Sequence, residues 1–117
     1  MVKAEIFYDE NRIRGFVISG HAGTAEPGKD IVCAAISALS QTALLGLDAY
    51  LTEKPVWKIN NDRGYLECWL PETLSAVDME KAAVIIGALE LGLRSIEKSY
   101  GQYFKVSKRR WTACCSK

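Results

Sequence analysis

The chain has 117 residues, 49% of them hydrophobic, and a formal net charge of +1. That length holds one domain with a real core and leaves no room for a second, while the apolar content excludes a disordered chain. So balanced a charge does not imply nucleic acid or an anionic membrane as the main partner.

Residues 2–8 set Val2, Ala4, Ile6 and Tyr8 against Lys3, Glu5 and Phe7, the alternation of a half-buried strand. A turn at Asp9, Glu10 and Asn11 leads to a second strand over 13–19. Phe16 and Ile18 fall on one face and Ile13 and Val17 on the other, so this strand is expected to be covered on both sides. The pair reads as a hairpin. After a glycine-containing loop, Asp30 is placed as the N-cap of a helix over 31–51. Ile31, Ala35, Leu39 and Ala43 line one side of it, and Ile36, Leu44, Leu47 and Leu51 widen the stripe. A helix that apolar is buried centrally or shared with a second subunit.

Residues 56–60 and 65–70 read as two strands joined by the turn-forming Asn61, Asp62, Arg63 and Gly64. Leu66, Cys68 and Leu70 share a face, which makes Cys68 a buried strand thiol. Helical spacing returns over 77–100, with Ala82, Ile86, Leu89, Leu93, Ile96 and Tyr100 on one side and Gly101 at the C-cap. A strand over 103–107 follows, then a loose tail over 108–117. The order β-β-α-β-β-α-β predicts an α+β layered single domain, mainly antiparallel sheet with two helices.

Lys105, Lys108, Arg109, Arg110 and Lys117 crowd the end of the chain with no acid among them, a charge run whose ordinary role is solubility. Charged residues within 1–8 leave no apolar leader there, and four cysteines then point to free thiols in a reducing compartment, the cytoplasm. No apolar run is expected to reach the roughly 20 residues that span a bilayer.

The chemistry concentrates in residues 20–37, GHAGTAEPGKDIVCAAIS, which hold the single histidine, His21, and the thiol of Cys33. Gly23, Gly28 and Lys29 spell a G-x-x-x-x-G-K phosphate loop, but Asp30 stands where a Ser or Thr hydroxyl is needed and repels a triphosphate. His21, Cys33, Cys68 and Cys114 lack the C-x-x-C or H-x-x-x-H pairing of a metal site, so neither metal nor cofactor is expected. Redox sensing needs a second thiol within helical reach of Cys33, and the sequence supplies none. Two readings stay open on the residues alone. One is a histidine and a buried cysteine with no chemical task. The other is a cysteine nucleophile in the first turn of a helix, favoured as thiolate by the helix dipole, with His21 as its acid and base. Free amides at that helix start, Cys33's own included, can then hold an oxyanion.

Gly20-His21-Ala22, the segment Gly28-x-Asp30-Ile31-Val32-Cys33-Ala34-Ala35 and Ser37 closely resemble the Prp family, the ribosomal-processing cysteine proteases of Firmicutes and related bacteria. The resemblance covers residues 1–108 in length and element order and implies a protease domain there, with 109–117 a basic, flexible tail. It implies a cytoplasmic, homodimeric cysteine endopeptidase that cuts after an aromatic residue. The expected substrate is the N-terminal extension of a large-subunit ribosomal protein, with no cofactor, membrane or direct nucleic-acid partner. The family's catalytic histidine falls on His21 and its nucleophile on Cys33. Asp30 and Ser37 match other motif positions, and Gly20, Ala22, Gly23 and Gly28 belong to the loop expected to order over the substrate. The competing expectation is a non-catalytic ribosome-assembly module that holds a peptide with the same loop.

Overall fold

A computed structural model describes residues 1–20, 29–61 and 64–112, apart from the side chains of Lys29 and Asp30. Its elements follow the expected order: β1 (Val2–Asp9), β2 (Arg12–Ser19), α1 (Lys29–Tyr50), β3 (Val56–Asn60), β4 (Tyr65–Trp69), α2 (Ala76–Tyr100) and β5 (Phe104–Arg110). The strands form one sheet in the order β3-β4-β2-β1-β5. Among the described strands only the β1–β5 pair is parallel, because the chain returns through α2 before laying β5 beside β1, as a parallel connection requires.

Both helices cover the same side of this sheet. Ala4, Ile6, Phe16, Ile18, Leu66, Cys68 and Phe104 from the strands pack in one core with Val32, Ile36, Leu44 and Leu47 of α1 and Ala82, Ile86, Leu89 and Leu93 of α2. The helices cross closely where α2 carries Gly92. A Cβ there would stand 3.0 Å from Leu39 Cδ1, so a side chain would make the Leu39 methyl shift. The opposite sheet face carries a smaller cluster of Phe7, Val17 and Trp69, in which the Phe7 and Trp69 rings lie 5.0 Å apart at a tilt of 60°.

The α2 start is capped by Ser75, whose side chain accepts from the Asp78 amide at 3.1 Å. Asp78 is itself buried. Its Oδ2 accepts from the Thr52 and Glu53 amides at 2.9 and 3.2 Å, tying the α1–β3 connection to the head of α2.

Several expectations need correction. Ile13 packs in the main core rather than opposite Phe16. The register passes from Phe7↔Gly15 to Tyr8↔Ile13, leaving Arg14 as an extra residue, and such a bulge reverses the alternation beyond it. Helix α1 starts at Lys29, so Asp30 is its second residue and not its cap. Between Ile31 and Tyr50 the same helix is long and apolar enough, by length and composition, to cross a membrane, contrary to the reading of the sequence. Its serines, glutamine and threonine interrupt the pattern without adding charge, and Asp48 is the one carboxylate within residues 31–50. Here it packs beside α2 on the same face of the sheet.

Strand β5 runs on to Arg110, three residues past its expected end. The first part of the expected tail is therefore sheet. The Trp111 amide donates to the Tyr8 carbonyl at 2.7 Å, and its ring lies against the Arg14 guanidinium, 4.9 Å from the ring centroid. The tail beyond Thr112, with Cys114 and Cys115, lies outside the described residues.

Candidate active site

Cys33 is the fifth residue of α1 and is half-buried. It lines a cavity of about 220 Å³ between the start of α1 and one end of the sheet. Helical spacing aligns the α1 side of that cavity, since Cys33, Ser37 and Gln41 follow at intervals of four and Ile36 and Ser40 flank them. The sheet side consists of Ile18 at the end of β2, Leu66 in β4, Ile59 in β3 and the β3–β4 turn at Asn61 and Gly64. Apolar walls with a few polar groups on one side form a pocket suited to an organic ligand.

Gly20 lines the same cavity. Its φ of +101° belongs to a region that side-chain-bearing residues rarely adopt, and a Cβ would lie 2.4 Å from the Met1 carbonyl oxygen. Glycine is therefore required for β2 to turn at the rim of the cavity, and the next residue along the chain is His21. His21, Ala22, Gly23 and Gly28 lie outside the described residues, as does the Asp30 side chain.

Ser37 is exposed on the cavity side of α1, and its Oγ accepts from Gln41 Nε2 at 3.2 Å. The neighbouring Ser40 is buried and donates to the Ile36 carbonyl at 2.7 Å, the helical back-bond of a satisfied core serine. One expectation fails here. With α1 beginning at Lys29, the helical ladder directs the Cys33 amide to the Lys29 carbonyl, so that amide is not free to hold an oxyanion. Cys33 stands at the beginning of the second turn rather than in the first.

The second described thiol is in another setting. Cys68 is fully buried between the sheet and the helices, as its alternation with Leu66 and Leu70 predicted. Burial pushes its pKa up from 9.0 to about 12, which keeps it protonated and unreactive near neutral pH.

A family model for cysteine protease Prp matches residues 1–105. The chain belongs to the Prp family. It is therefore a cysteine protease, in agreement with the resemblance carried by residues 20–37. The ribosomal processing cysteine protease Prp of Bacillus subtilis (strain 168) is 31% identical over 108 residues, spanning 92% of this chain and 96% of that relative. The Prp of Staphylococcus aureus (strain Mu50) is 28% identical over 102 residues, spanning 85% and 90%. Among solved structures, S. aureus Prp in complex with a substrate peptide superposes with a TM-score of 0.79 at 22% identity, covering 92% of this chain and 99% of that one. A Streptococcus mutans crystal structure does so with a TM-score of 0.82 at 24% identity, covering 95% and 96%. These likenesses bear out the α+β fold of two helices on a five-stranded sheet.

Periodicity missed part of the site. Ile59, Asn61, Gly64 and Tyr65 line the cavity, yet the sequence marks them only as a hairpin end. The one local signal was alternation, which set Ile59 on the same face as Leu66 once β3 and β4 pair.

Proposed function

We propose that this chain is a cytoplasmic endopeptidase that removes the N-terminal extension of a large-subunit ribosomal protein, with Cys33 as nucleophile and His21 as acid and base. The observation that carries this reading is the cavity shared by Cys33 and Gly20, which brings the residue preceding His21 to the thiol's own pocket. The names of the relatives, ribosomal processing proteases, supply the substrate class.

In the proposed reaction the Cys33 thiolate attacks the scissile carbonyl carbon, and the imidazolium of His21 protonates the departing amine as the C–N bond breaks. The imidazole then takes a proton from water, whose oxygen attacks the thioester, releasing the acid and the Cys33 thiolate. Ser37, held by Gln41 one turn beyond Cys33, supports the polar side of the pocket, and Asp30 belongs to the helix start that precedes the thiol. No cofactor takes part in the proposed reaction.

We further propose a homodimer. Ile31 and Leu45 of α1 and Val77, Val84 and Leu91 of α2 are all more than 60% exposed, and a second copy covering them would remove an apolar surface from water.

The test is incubation with the ribosomal protein carrying its extension, followed by mass spectrometry. A single shortened product is expected. A protein that bound the extension and left it intact at any time would be a holding module instead.

A further inference from the structure

The two edges of the sheet are built differently. Strand β5, at one edge, exposes Lys105, Ser107, Lys108, Arg109 and Arg110. Charged side chains, lysine above all, are the usual guard against another strand pairing there. Strand β3, at the other edge, is exposed at all five positions, and three of the five are large and apolar. Val56 is 64% exposed, Trp57 42% and Ile59 45%. Lys58 is its single charge, and no other described strand lies along its outer side.

This unguarded edge leads to the site. The last residues of β3 reach the cavity that holds Cys33. Ile59 lines that cavity, and Asn61 continues its wall. Trp57 and Ile59 pair in register with Cys68 and Leu66, whose side chains lie in the helix-side core, so both belong to the sheet face that looks toward α1.

We infer that β3 is the substrate-docking edge: an extended peptide pairs with its outer backbone as an added strand and enters the Cys33 cavity at Ile59. This rests on the protease reading and specifies how it takes substrate. Main-chain hydrogen bonds supply affinity in such strand addition, and alternate side chains supply selectivity. The peptide class is therefore an extended segment with apolar side chains at every second position, those that fall beside Trp57 and Ile59. The opposite edge, with its row of lysine and arginine, is closed to the same pairing.

The experiment uses a synthetic peptide copying the ribosomal extension, together with versions N-methylated at single backbone amides. Each N-methyl group on an amide that faces β3 is expected to raise KM about fivefold to tenfold. Those on the alternate amides should leave KM within about twofold. Trp57→Lys should raise KM about tenfold with kcat unchanged, the guard of β5 transplanted to β3, whereas Lys108→Thr should change neither. Hydrogen exchange on the Cys33→Ala protein adds a readout that needs no turnover, with amides of 56–60 slowing when the peptide is added. Cleavage with a flat N-methyl scan and unchanged exchange in β3 overturns the inference and leaves the protease reading standing. A peptide neither bound nor cut overturns both. Protection of β3 that follows protein concentration without peptide assigns the edge to a second copy and overturns the inference.

Discussion

Cys33 and Cys68 are the same side chain on the same half of one small domain, and their surroundings give them opposite fates. Cys68 alternates with Leu66 and Leu70 on β4, is sealed under both helices, and has its pKa driven up to about 12 by desolvation. Cys33 stands near the start of α1, half-buried, with an open cavity on one side and the exit of β2 at the cavity rim. A thiol reacts as its anion and only where substrate reaches it. The fold opens one thiol to a cavity and seals the other in the core.

Exchanging the two sites' side chains is the strongest way to break this comparison. Cys33→Ala is expected to reduce cleavage of the extended ribosomal protein by at least about a thousandfold with the fold intact, while Cys68→Ala keeps kcat/KM within about threefold. Mass spectrometry of the product and far-UV circular dichroism check both. Equal activity losses in the two variants would end the distinction.

Gly20→Ala is the next largest effect. The added Cβ meets the Met1 carbonyl and the backbone must leave φ +101°, so the end of β2 shifts at the cavity where His21 follows. With His21 in its proposed role, a fall of about tenfold to a hundredfold in kcat is expected, since misplacing a catalytic group by about 1 Å costs that much. Stopped-flow or steady-state assays on a variant that retains its circular dichroism spectrum measure it.

Stability sharpens the other half of the contrast. Removing the buried sulfur in Cys68→Ala should cost about 1–2 kcal/mol, seen as a lower urea midpoint. The alkaline limb gives a second test. The folded-state pKa of Cys68 lies above its ordinary value of 9.0, at about 12, so the unfolded chain loses that proton first. The folded protein should accordingly lose stability as pH rises from about 9 toward about 12 and no further from this group. Tyr8, raised from 10.0 to about 12 by burial and by the Glu90 carboxylate it donates to, adds a contribution of the same sign above about 10. In Cys68→Ala the urea midpoint should decline less between pH 8 and pH 10 than in the parent; an identical decline would remove Cys68 from the account.

The smallest effect expected is at the polar side of the cavity. Gln41→Ala frees the Ser37 hydroxyl from its partner and is expected to lower kcat about twofold to fivefold with little change in melting temperature, the size of one exposed hydrogen bond.

The fold was legible wherever its rules are local. Alternation placed Cys68 correctly, apolar spacing found both helices, and the turn residues after Asn60 marked the β3–β4 hairpin. The reading failed where one residue alters everything beyond it. The bulge at Arg14 moved Ile13 across the sheet, and no spacing in residues 12–19 announces it. Strand β5 was cut short because its charged residues resemble a solvated tail, although pairing with β1 and the seat of Trp111 extend it. At the site, Cys33 and Gly20 stood out by their motif. The far wall did not, because Ile59 and Asn61 reach Cys33 only through the β2–β4 pairing, which local sequence does not encode.

The most direct test of the central claim is covalent capture with a peptide chloromethyl ketone that copies the ribosomal extension up to the cleaved bond, followed by peptide mapping. One adduct per chain is expected, on the Sγ of Cys33, blocked by excess uncleaved peptide and absent from Cys33→Ala. An adduct on Cys68, or stoichiometric labelling elsewhere that Cys33→Ala leaves unchanged, would contradict it.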